Sequence, residues 1–388
     1  MAMARVFLIA LFAVAAGVFP TATRCQTTEQ SAGASSQTWT DPSPHKVQFI
    51  TVDPKEDVRL EVLDWGGSGR PLVLLAGGGD TAHVFDDFAP KLTSSYHVYG
   101  ITRRGFGASS APAPHDNNYS ADRLGDDVIA VLDGLKLDRP ILAGHSIAGE
   151  ELSSIGSRHP ERVAALIYLD AGYAYAYYNK EVGDFTIDLA EVRASLAEFH
   201  VGMKPEDEKQ RINSLLEELP RFEQDLVDLR SGLDGPQLGG PTPTPADLAS
   251  VAAFRSWETS NLGYALPEAE IRQIFEVTPS GGIGKPRDRQ AASLAVIGGE
   301  QKYASFNVPM LAIYAVGHRL GPYTDKDPAA RDAGLARDEA NDEAIARGFA
   351  KAFPSARVVQ LHRTYHLLFI TDEAEVLREM RDFMSSLR

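Results

Sequence analysis

Apolar and polar residues alternate along this chain with two distinct periods from residue 46 onwards. Short apolar runs rich in β-branched residues predict strands at residues 48–53, 58–65, 71–79, 96–102, 140–146, 163–170, 308–316 and 356–362. Amphipathic segments between them predict helices at residues 80–92, 120–135, 147–157, 338–352 and 372–387. The first two strands are separated by a turn and predict an antiparallel start, whereas the later, continuously apolar strands are typical of a sheet buried on both faces. The pattern predicts an α/β fold with a mostly parallel, doubly wound sheet.

This alternation is interrupted once, between the strand that ends near residue 170 and the strand that begins at residue 308. Residues 171–305 carry helix-like segments at residues 189–199, 206–219, 247–259 and 267–275. Because so long a stretch exceeds a single crossover connection, it predicts a helical cap inserted over the carboxyl edge of the sheet. The core of the fold is then made of residues 46–170 and 306–388.

The N-terminal residues have a different composition. Arg5 precedes an uninterrupted apolar run at residues 6–19, and Pro20 and small residues follow it. The run is shorter than the roughly 20 residues that a spanning helix needs, so residues 1–25 predict a cleaved signal peptide and a secreted or periplasmic protein without stable membrane insertion. Residues 26–45, rich in Ser and Thr, predict a flexible leader.

Composition and charge narrow the classes of partner. Lys and Arg number 38 against 53 Asp and Glu, a formal net charge of −15, which argues against a nucleic-acid binder. The single cysteine, Cys25, lies at the predicted processing boundary and excludes a disulfide scaffold. There is no HExxH motif and no Cys pair, and the ten His residues are scattered, so we expect no metal site and no cofactor.

One sequence motif is typical of a reactive serine. Residues 144–149 read Gly-His-Ser-Ile-Ala-Gly between a buried strand and a helix. Small residues two positions before and after Ser146 allow a strand to turn sharply into a helix and present the hydroxyl at the edge of the sheet. Such a serine also lies at a helix N-terminus, where backbone N–H groups stabilise negative charge. Ala148 stands where glycine is commonest.

With these residues the chain resembles the α/β-hydrolase superfamily, in its cap-bearing form. The resemblance covers residues 46–388 and rests on four ordered motifs, LLAGGGD at 74–80, RRGFGAS at 103–109, GHSIAG at 144–149 and RTYHLLF at 363–369. It implies that Ser146 is a nucleophile, that His366 in the loop after the last strand is its general base, and that the amides of Gly78 and Ile147 form an oxyanion hole. The chemistry requires the same pairing, because a serine hydroxyl is a weak nucleophile until an imidazole takes its proton.

The acid of the triad has several candidates. Most relatives place an Asp after the strand that corresponds to residues 308–316, but this chain continues Gly317-His318 there, and its next carboxylates are Asp325 and Asp327. Some cap-bearing relatives carry the acid one strand earlier, where this chain has Asp170. We favour Asp170, which ends a buried strand directly before the cap. The alternatives, Asp325, Asp327, Glu150 and Glu151, stay open, although we expect Glu150 and Glu151 to complement the helix dipole.

The remaining histidines and the tyrosines of the cap have a structural interpretation beside a functional one. We expect structural or surface roles for His83, His145, His318 and His362. Four tyrosines open the cap at residues 173–178, and Tyr173 and Tyr177 are candidates for lining a substrate pocket. Packing of the cap against the core explains this run of tyrosines equally well.

The predicted reaction follows from the nucleophile. Relatives that open epoxides or displace halide carry Asp at this position, so a serine indicates acyl transfer to water through an acyl-enzyme. The sequence therefore predicts hydrolysis of a small carboxylic ester, with a small-molecule acyl compound as the substrate. A carbon–carbon bond hydrolase, a haloperoxidase-like enzyme and a non-catalytic binding protein on the same fold are the alternatives.

Overall fold

The computed structural model describes residues 39–180, 183–199, 203–234, 241–318 and 328–387. The predicted signal peptide and most of the predicted leader lie outside these residues. The described end of the leader, residues 39–45, packs against the core through the buried side chain of His45. Among the described residues, no helix has both the length and the apolar character that a membrane crossing requires.

A sheet of eight strands forms the centre of the molecule, in the order β1-β2-β4-β3-β5-β6-β9-β10. Strands β1, β2 and β4 pair antiparallel, and all the remaining neighbours pair parallel. A separate two-stranded hairpin joins β7 to β8. The strands are β1 Lys46–Asp53, β2 Val58–Gly66, β3 Pro71–Leu75, β4 His97–Ile101, β5 Ile141–His145, β6 Ala165–Leu169, β7 Phe275–Val277, β8 Ile283–Pro286, β9 Met310–Val316 and β10 Arg357–His362. The predicted doubly wound α/β fold is confirmed.

Both faces of this sheet are covered, as the apolar strand sequences predict. Alternate residues of one strand enter different cores: Leu72 and Leu74 of β3 pack on one side, and Val73 and Leu75 pack on the other. The helices of the described residues are α1 Ala121–Leu135, α2 Gly149–Arg158, α3 Phe185–Ala197, α4 Pro205–Asp234, α5 Val251–Leu262, α6 Glu268–Ile274, α7 Gln290–Gly298, α8 Pro328–Ala352, α9 Leu368–Thr371 and α10 Glu373–Ser386. Helices α1, α2 and α8 cover one face, and α10 covers the other.

The helix predicted for residues 80–92 is wrong. Two short 3₁₀ helices, Ala82–Phe85 and Ala89–Leu92, occupy this segment. Pro90 lacks an amide hydrogen, and its ring would clash with the carbonyl of Asp86 in a continuous α-helix, so the segment breaks there. The first 3₁₀ helix lies directly after the glycine loop that follows β3.

The segment between β6 and β9 is helical, with one addition that the pattern did not predict. Helices α3 and α4 pack on each other, and α5 and α6 are followed by the hairpin of β7 and β8 and by α7. Trp257 of α5 and Phe275 of β7 join the same apolar core as Phe369 of α9. These cap elements therefore pack on the loops at the carboxyl edge of the sheet.

Candidate active site

Four chemically active side chains follow four neighbouring strands. Ser146 follows β5, Asp170 follows β6, His318 follows β9, and His366 lies in the loop after β10. Because these strands are parallel, their carboxyl ends meet at one edge of the sheet, which is where sites form in such folds.

The turn after β5 has the strained geometry of a nucleophile elbow. Ser146 is buried and has a φ of +54°, a conformation that costs energy in any residue with a side chain. A Cβ on Gly144 would lie 3.0 Å from that of Ala148, and a Cβ on Gly149 would lie 2.0 Å from the carbonyl oxygen of Ala171. Gly144 and Gly149 beside the serine are therefore required by close packing.

His145, which sequence reasoning treated as structural, supports the loop of the second histidine. Its Nε2 lies 3.1 Å from the carbonyl oxygen of His366 and donates to it when it carries the proton. Burial, with the repulsion of His366 added to it, lowers the pKa of His145 to about 3, so the ring is neutral. Gly77 faces the same ring, since a Cβ there would approach Nδ1 of His145 to 2.6 Å.

Asp170 contacts the predicted base directly. Its Oδ2 lies 2.5 Å from Nδ1 of His366 and 2.9 Å from Nε2 of His318. Its Oδ1 accepts from the Tyr173 hydroxyl at 2.8 Å and from the Ala315 amide at 2.9 Å. Burial alone would raise the pKa of this carboxyl, but the charge and hydrogen bonds of His318 and His366 hold it well below its usual range. Asp170 is therefore an ionised, fully hydrogen-bonded carboxylate.

His318 was not predicted to belong to the site. Besides Asp170, its ring contacts Asp338 and Asp342 of α8, with Nδ1 at 3.2 and 3.3 Å from their Oδ2 atoms. Burial opposes its charge, but these three carboxylates raise the pKa of His318 well above its ordinary value, so it is an imidazolium. Two features of the sequence could have indicated this role. His318 lies at the strand end where relatives usually carry the acid, and Asp338 and Asp342 lie four residues apart further along the chain.

The tyrosines that open the cap have three different surroundings. Tyr173 is buried and donates to Asp170, whereas Tyr177 packs edge-on against Phe349 and Phe353. Tyr175 lies beside Ser146: burial, with Asp170 adding to it, raises the pKa of Tyr175, and a hydrogen bond with Ser146 opposes that rise. The positions of these tyrosines in the sequence did not distinguish their roles.

The glycine loop after β3 is held by a buried ion pair. Arg103 donates to the carbonyls of Ala76 and Gly77 at 3.1 and 3.2 Å and forms a bidentate pair with Glu151 at 2.6 and 2.7 Å. Such a planar fork fixes the backbone that carries Gly78. Ile147, the other predicted oxyanion donor, is buried directly after Ser146.

Three further carboxyls near the site have raised pKa values. Burial raises the pKa of Glu150 well above its ordinary value, and neither of its oxygens has a hydrogen-bond partner in the described structure. Burial raises the pKa of Asp80 to about 7 and that of Glu270 to about 8. Glu270, on cap helix α6, accepts from the Thr81 amide at 2.9 Å and so joins the cap to the glycine loop.

The other acid candidates do not share the position of Asp170. Glu151 forms an ion pair with Arg103, and the part of the chain that the structure describes offers Glu150 no hydrogen-bond partner. Asp325 and Asp327 lie outside the described residues. Asp170, His318 and His366 together present three groups that could in principle ligate a metal, but Asp170 is already engaged by both rings through hydrogen bonds.

Comparison with known proteins assigns the class. The profile of the α/β-hydrolase fold family matches residues 70–373, and the chain therefore belongs to this family. The solved structure of an E-2-(acetamidomethylene)succinate hydrolase superposes with a TM-score of 0.51 over 88% of this chain and all of that one, at 15% identity. At that identity the likeness shows the fold alone.

Two curated relatives show how far the family varies in chemistry. Fluoroacetate dehalogenase from Burkholderia sp. is 33% identical over 117 residues, which are 30% of this chain and 38% of that protein. The 2-hydroxymuconate semialdehyde hydrolase of Pseudomonas sp. strain CF600 is 33% identical over 113 residues, which are 28% of this chain and 39% of that protein. The matched segments thus span about two fifths of either relative's length.

Proposed function

We propose that this protein is an exported serine hydrolase that cleaves a small carboxylic ester through an acyl-enzyme. Ser146 is the nucleophile, His366 the general base, Asp170 the acid, and the amides of Gly78 and Ile147 the oxyanion hole. The observation that carries the proposal is the 2.5 Å contact between Asp170 and Nδ1 of His366, at the sheet edge that also bears the elbow of Ser146.

The geometry supports one direction of proton transfer. Since Asp170 occupies Nδ1 of His366, the other ring nitrogen, Nε2, is the one left to take the proton of Ser146. Ser146 then bonds to the ester carbonyl carbon, and the oxyanion faces the amides of Gly78 and Ile147. Collapse expels the alcohol, which takes the proton from His366. Water, activated by the same ring, releases the acid and restores Ser146.

Ser146, the residue at the elbow, helps to distinguish the proposed ester hydrolysis from the alternative reactions. Dehalogenation, the activity named for one relative, uses an Asp nucleophile, and Ser146 occupies that position here. Carbon–carbon bond hydrolysis uses the same serine constellation and remains the second candidate because a semialdehyde hydrolase is among the relatives. The ionised, four-donor environment of Asp170 argues against a non-catalytic binding protein, since binding alone does not require an oriented base.

The nucleophile can be tested without knowing the substrate. A fluorophosphonate forms a phosphorus–oxygen bond to an activated serine with loss of fluoride, and we expect peptide mass mapping to find it on Ser146 in the wild type and nowhere in Ser146→Ala. Hydrolysis of p-nitrophenyl acetate should fall by several orders of magnitude in the same variant. Equal rates in both proteins would remove the serine mechanism; labelling without ester hydrolysis would favour the carbon–carbon bond hydrolase.

Export rests on the sequence of residues 1–25 alone. Expression of the full chain in a Gram-negative host should yield a periplasmic or secreted form whose N-terminus, read by mass spectrometry, is one of residues 22 to 26. An uncleaved chain in the cytoplasm would contradict this part of the proposal and leave the hydrolase part intact.

A further inference from the structure

Four side chains from two distant segments meet beside strand β2, away from Ser146. Asp41 and His45 precede β1, and His83 and Asp86 lie in and directly after the 3₁₀ helix Ala82–Phe85. The side chains of His45, His83 and Asp86 are only 3%, 5% and 2% exposed, and that of Asp41 is 23% exposed. One ligand atom from each of the four lies within 4.8 Å of the other three.

The contacts within this group have the dimensions of a metal cage. Nδ1 of His83 lies 3.0 Å from Oδ2 of Asp86 and 3.5 Å from Oδ2 of Asp41, and Nε2 of His45 lies 3.6 Å from the same Asp41 oxygen. Ligand atoms bonded to a tetrahedral zinc ion at about 2.0–2.2 Å are separated by roughly 3.3–3.6 Å. These three contacts need to change by only a few tenths of an ångström to accept the ion, and the separations across the whole group stay within 4.8 Å.

The surrounding residues hold the ligands as metal sites require. Nε2 of His83, the nitrogen that faces away from Asp41 and Asp86, lies 3.7 Å from Oε1 of Glu61. The indole nitrogen of Trp65 donates to Oδ1 of Asp86 at 3.2 Å, and Nδ1 of His45 lies 2.9 Å from that oxygen. Ligating histidines typically present their second ring nitrogen to a carboxylate, and ligating carboxylates are hydrogen-bonded in turn.

We propose that Asp41, His45, His83 and Asp86 form a structural zinc site. Two imidazoles and two carboxylates suit zinc, whereas calcium and magnesium prefer sites made of oxygen ligands. All four positions come from the protein and three are buried, which is the closed arrangement of a structural ion, and the half-buried Asp41 gives the ion a route from solvent. The ion would fasten residues 39–45 to the helix that follows the glycine loop.

The expectation that the chain has no metal site rested on compact ligand motifs, which the sequence lacks. Here the ligands come as two pairs, four and three residues apart, that only the fold brings together. Three carboxylates, Asp41, Asp86 and Glu61, face the two rings, so the cage carries a negative charge that a divalent cation neutralises.

The test measures metal content of the full chain rather than catalysis, so it is independent of the proposed hydrolase activity. Protein treated with EDTA, incubated with excess zinc and dialysed exhaustively should retain about one zinc per chain, and zinc should raise the thermal midpoint above that in EDTA. Cobalt substitution should give the intense visible absorption of a tetrahedral site. A wild type that keeps no zinc and unfolds identically with zinc and with EDTA would overturn the proposal.

Variants locate the ion. His45→Gln/His83→Gln should retain less than about a tenth of the wild-type zinc. If that variant does not fold, Trp65→Phe replaces the indole by a smaller phenyl ring that has no donor for Asp86, and it should weaken zinc binding about 10- to 100-fold in a chelator competition. The matched control is His362→Gln, which dismantles the exposed group of Glu339, Glu343 and His362 and should leave zinc content unchanged. Loss of zinc in the control alone would also overturn the proposal.

Discussion

Asp170 and Glu150 are both fully buried carboxyls within a short stretch of chain from Ser146, yet they are in opposite states. Asp170 accepts hydrogen bonds from two imidazoles, a tyrosine hydroxyl and a backbone amide, and its pKa is lowered. Neither oxygen of Glu150 has a hydrogen-bond partner in the described structure, and burial beside Glu151 raises its pKa. Burial penalises both charges alike, so the supply of donors decides which carboxyl is ionised.

The difference explains why position in the sequence left the acid undetermined. Asp170 and Glu150 both follow a buried strand at the sheet edge that bears Ser146, and either could orient an imidazole on that ground. In the proposed mechanism, only an ionised carboxylate stabilises the imidazolium that forms when His366 takes a proton. Three of the four donors that keep Asp170 ionised, Ala315, His318 and His366, belong to β9 and to the segments that follow β9 and β10, which are distant in sequence.

The largest effect expected from this comparison is that of Asp170→Asn. The amide keeps the shape of the side chain but cannot hold His366 in the required tautomer or stabilise its charge, so kcat for p-nitrophenyl acetate should fall about 10⁴-fold. Asp188→Asn is a matched control, because Asp188 is also buried and also accepts from a tyrosine, Tyr178, but lies in the cap. An unaffected rate in Asp170→Asn would move the role to Asp325 or Asp327.

Glu151, the residue next to Glu150, gives the next largest effect, and that effect is on stability. Glu151→Gln leaves the buried guanidinium of Arg103 without its bidentate counterion, which should lower the free energy of unfolding by about 3–5 kcal/mol in a urea titration. Replacing both partners, as in Arg103→Met/Glu151→Met, should recover part of the loss because no buried charge is then left unpaired. If the single variant is as stable as the wild type, Glu151 does not neutralise Arg103.

His318→Gln should have a smaller effect on rate and a distinct effect on pH dependence. A hydrogen bond to a charged group contributes about 1.5–3 kcal/mol, but Asp170 keeps three other donors, so kcat should fall about 10- to 100-fold. The His318 ring lies 5.8 Å from that of His366. Without the charge and hydrogen bond of His318, the pKa of Asp170 is lowered less, and the acid limb of the kcat/KM profile should move to higher pH.

A purely structural role for His318 would lower the rate without moving the profile. His362→Gln, which removes an exposed histidine near the same loop, should change neither quantity. A shift of the acid limb to lower pH would contradict the assignment of His318 as a cation.

The sequence predicts those parts of the molecule that depend on local pattern. Continuous apolar runs are enough to specify the parallel strands, and small residues around Ser146 are enough to specify the elbow, because both are set by neighbours in the chain. The assignment of Ser146, His366 and Asp170 as catalytic stays a prediction until the variants are measured. The interruption between the 3₁₀ helices Ala82–Phe85 and Ala89–Leu92 could have been predicted from Pro90.

The parts that could not be predicted depend on contacts between distant segments. His318 is charged because Asp170 and two aspartates of α8 surround it, and Tyr175 rather than Tyr177 contacts Ser146 because of how the start of the cap folds. The hairpin of β7 and β8 is too short to have a clear period of its own. In each case the residue types were visible in the sequence, but their partners were not.

Glu150→Gln should act on the pH dependence of stability, and the sign of that effect tests the comparison directly. Because burial raises the pKa of Glu150 above its ordinary value of 4.5, the folded chain keeps a proton that the unfolded chain releases. The stability from this group is therefore complete below about pH 4.5 and declines as the pH rises towards the folded pKa, by about 1.4 kcal/mol per pH unit. A glutamine cannot lose that proton, so the difference in unfolding free energy between variant and wild type should grow in favour of the variant from pH 5 upwards. The exposed Glu161→Gln should show no such trend in the same urea titrations. If the difference for Glu150→Gln does not change with pH, Glu150 is ionised in the folded protein like Asp170, and donors other than those described here must supply its hydrogen bonds.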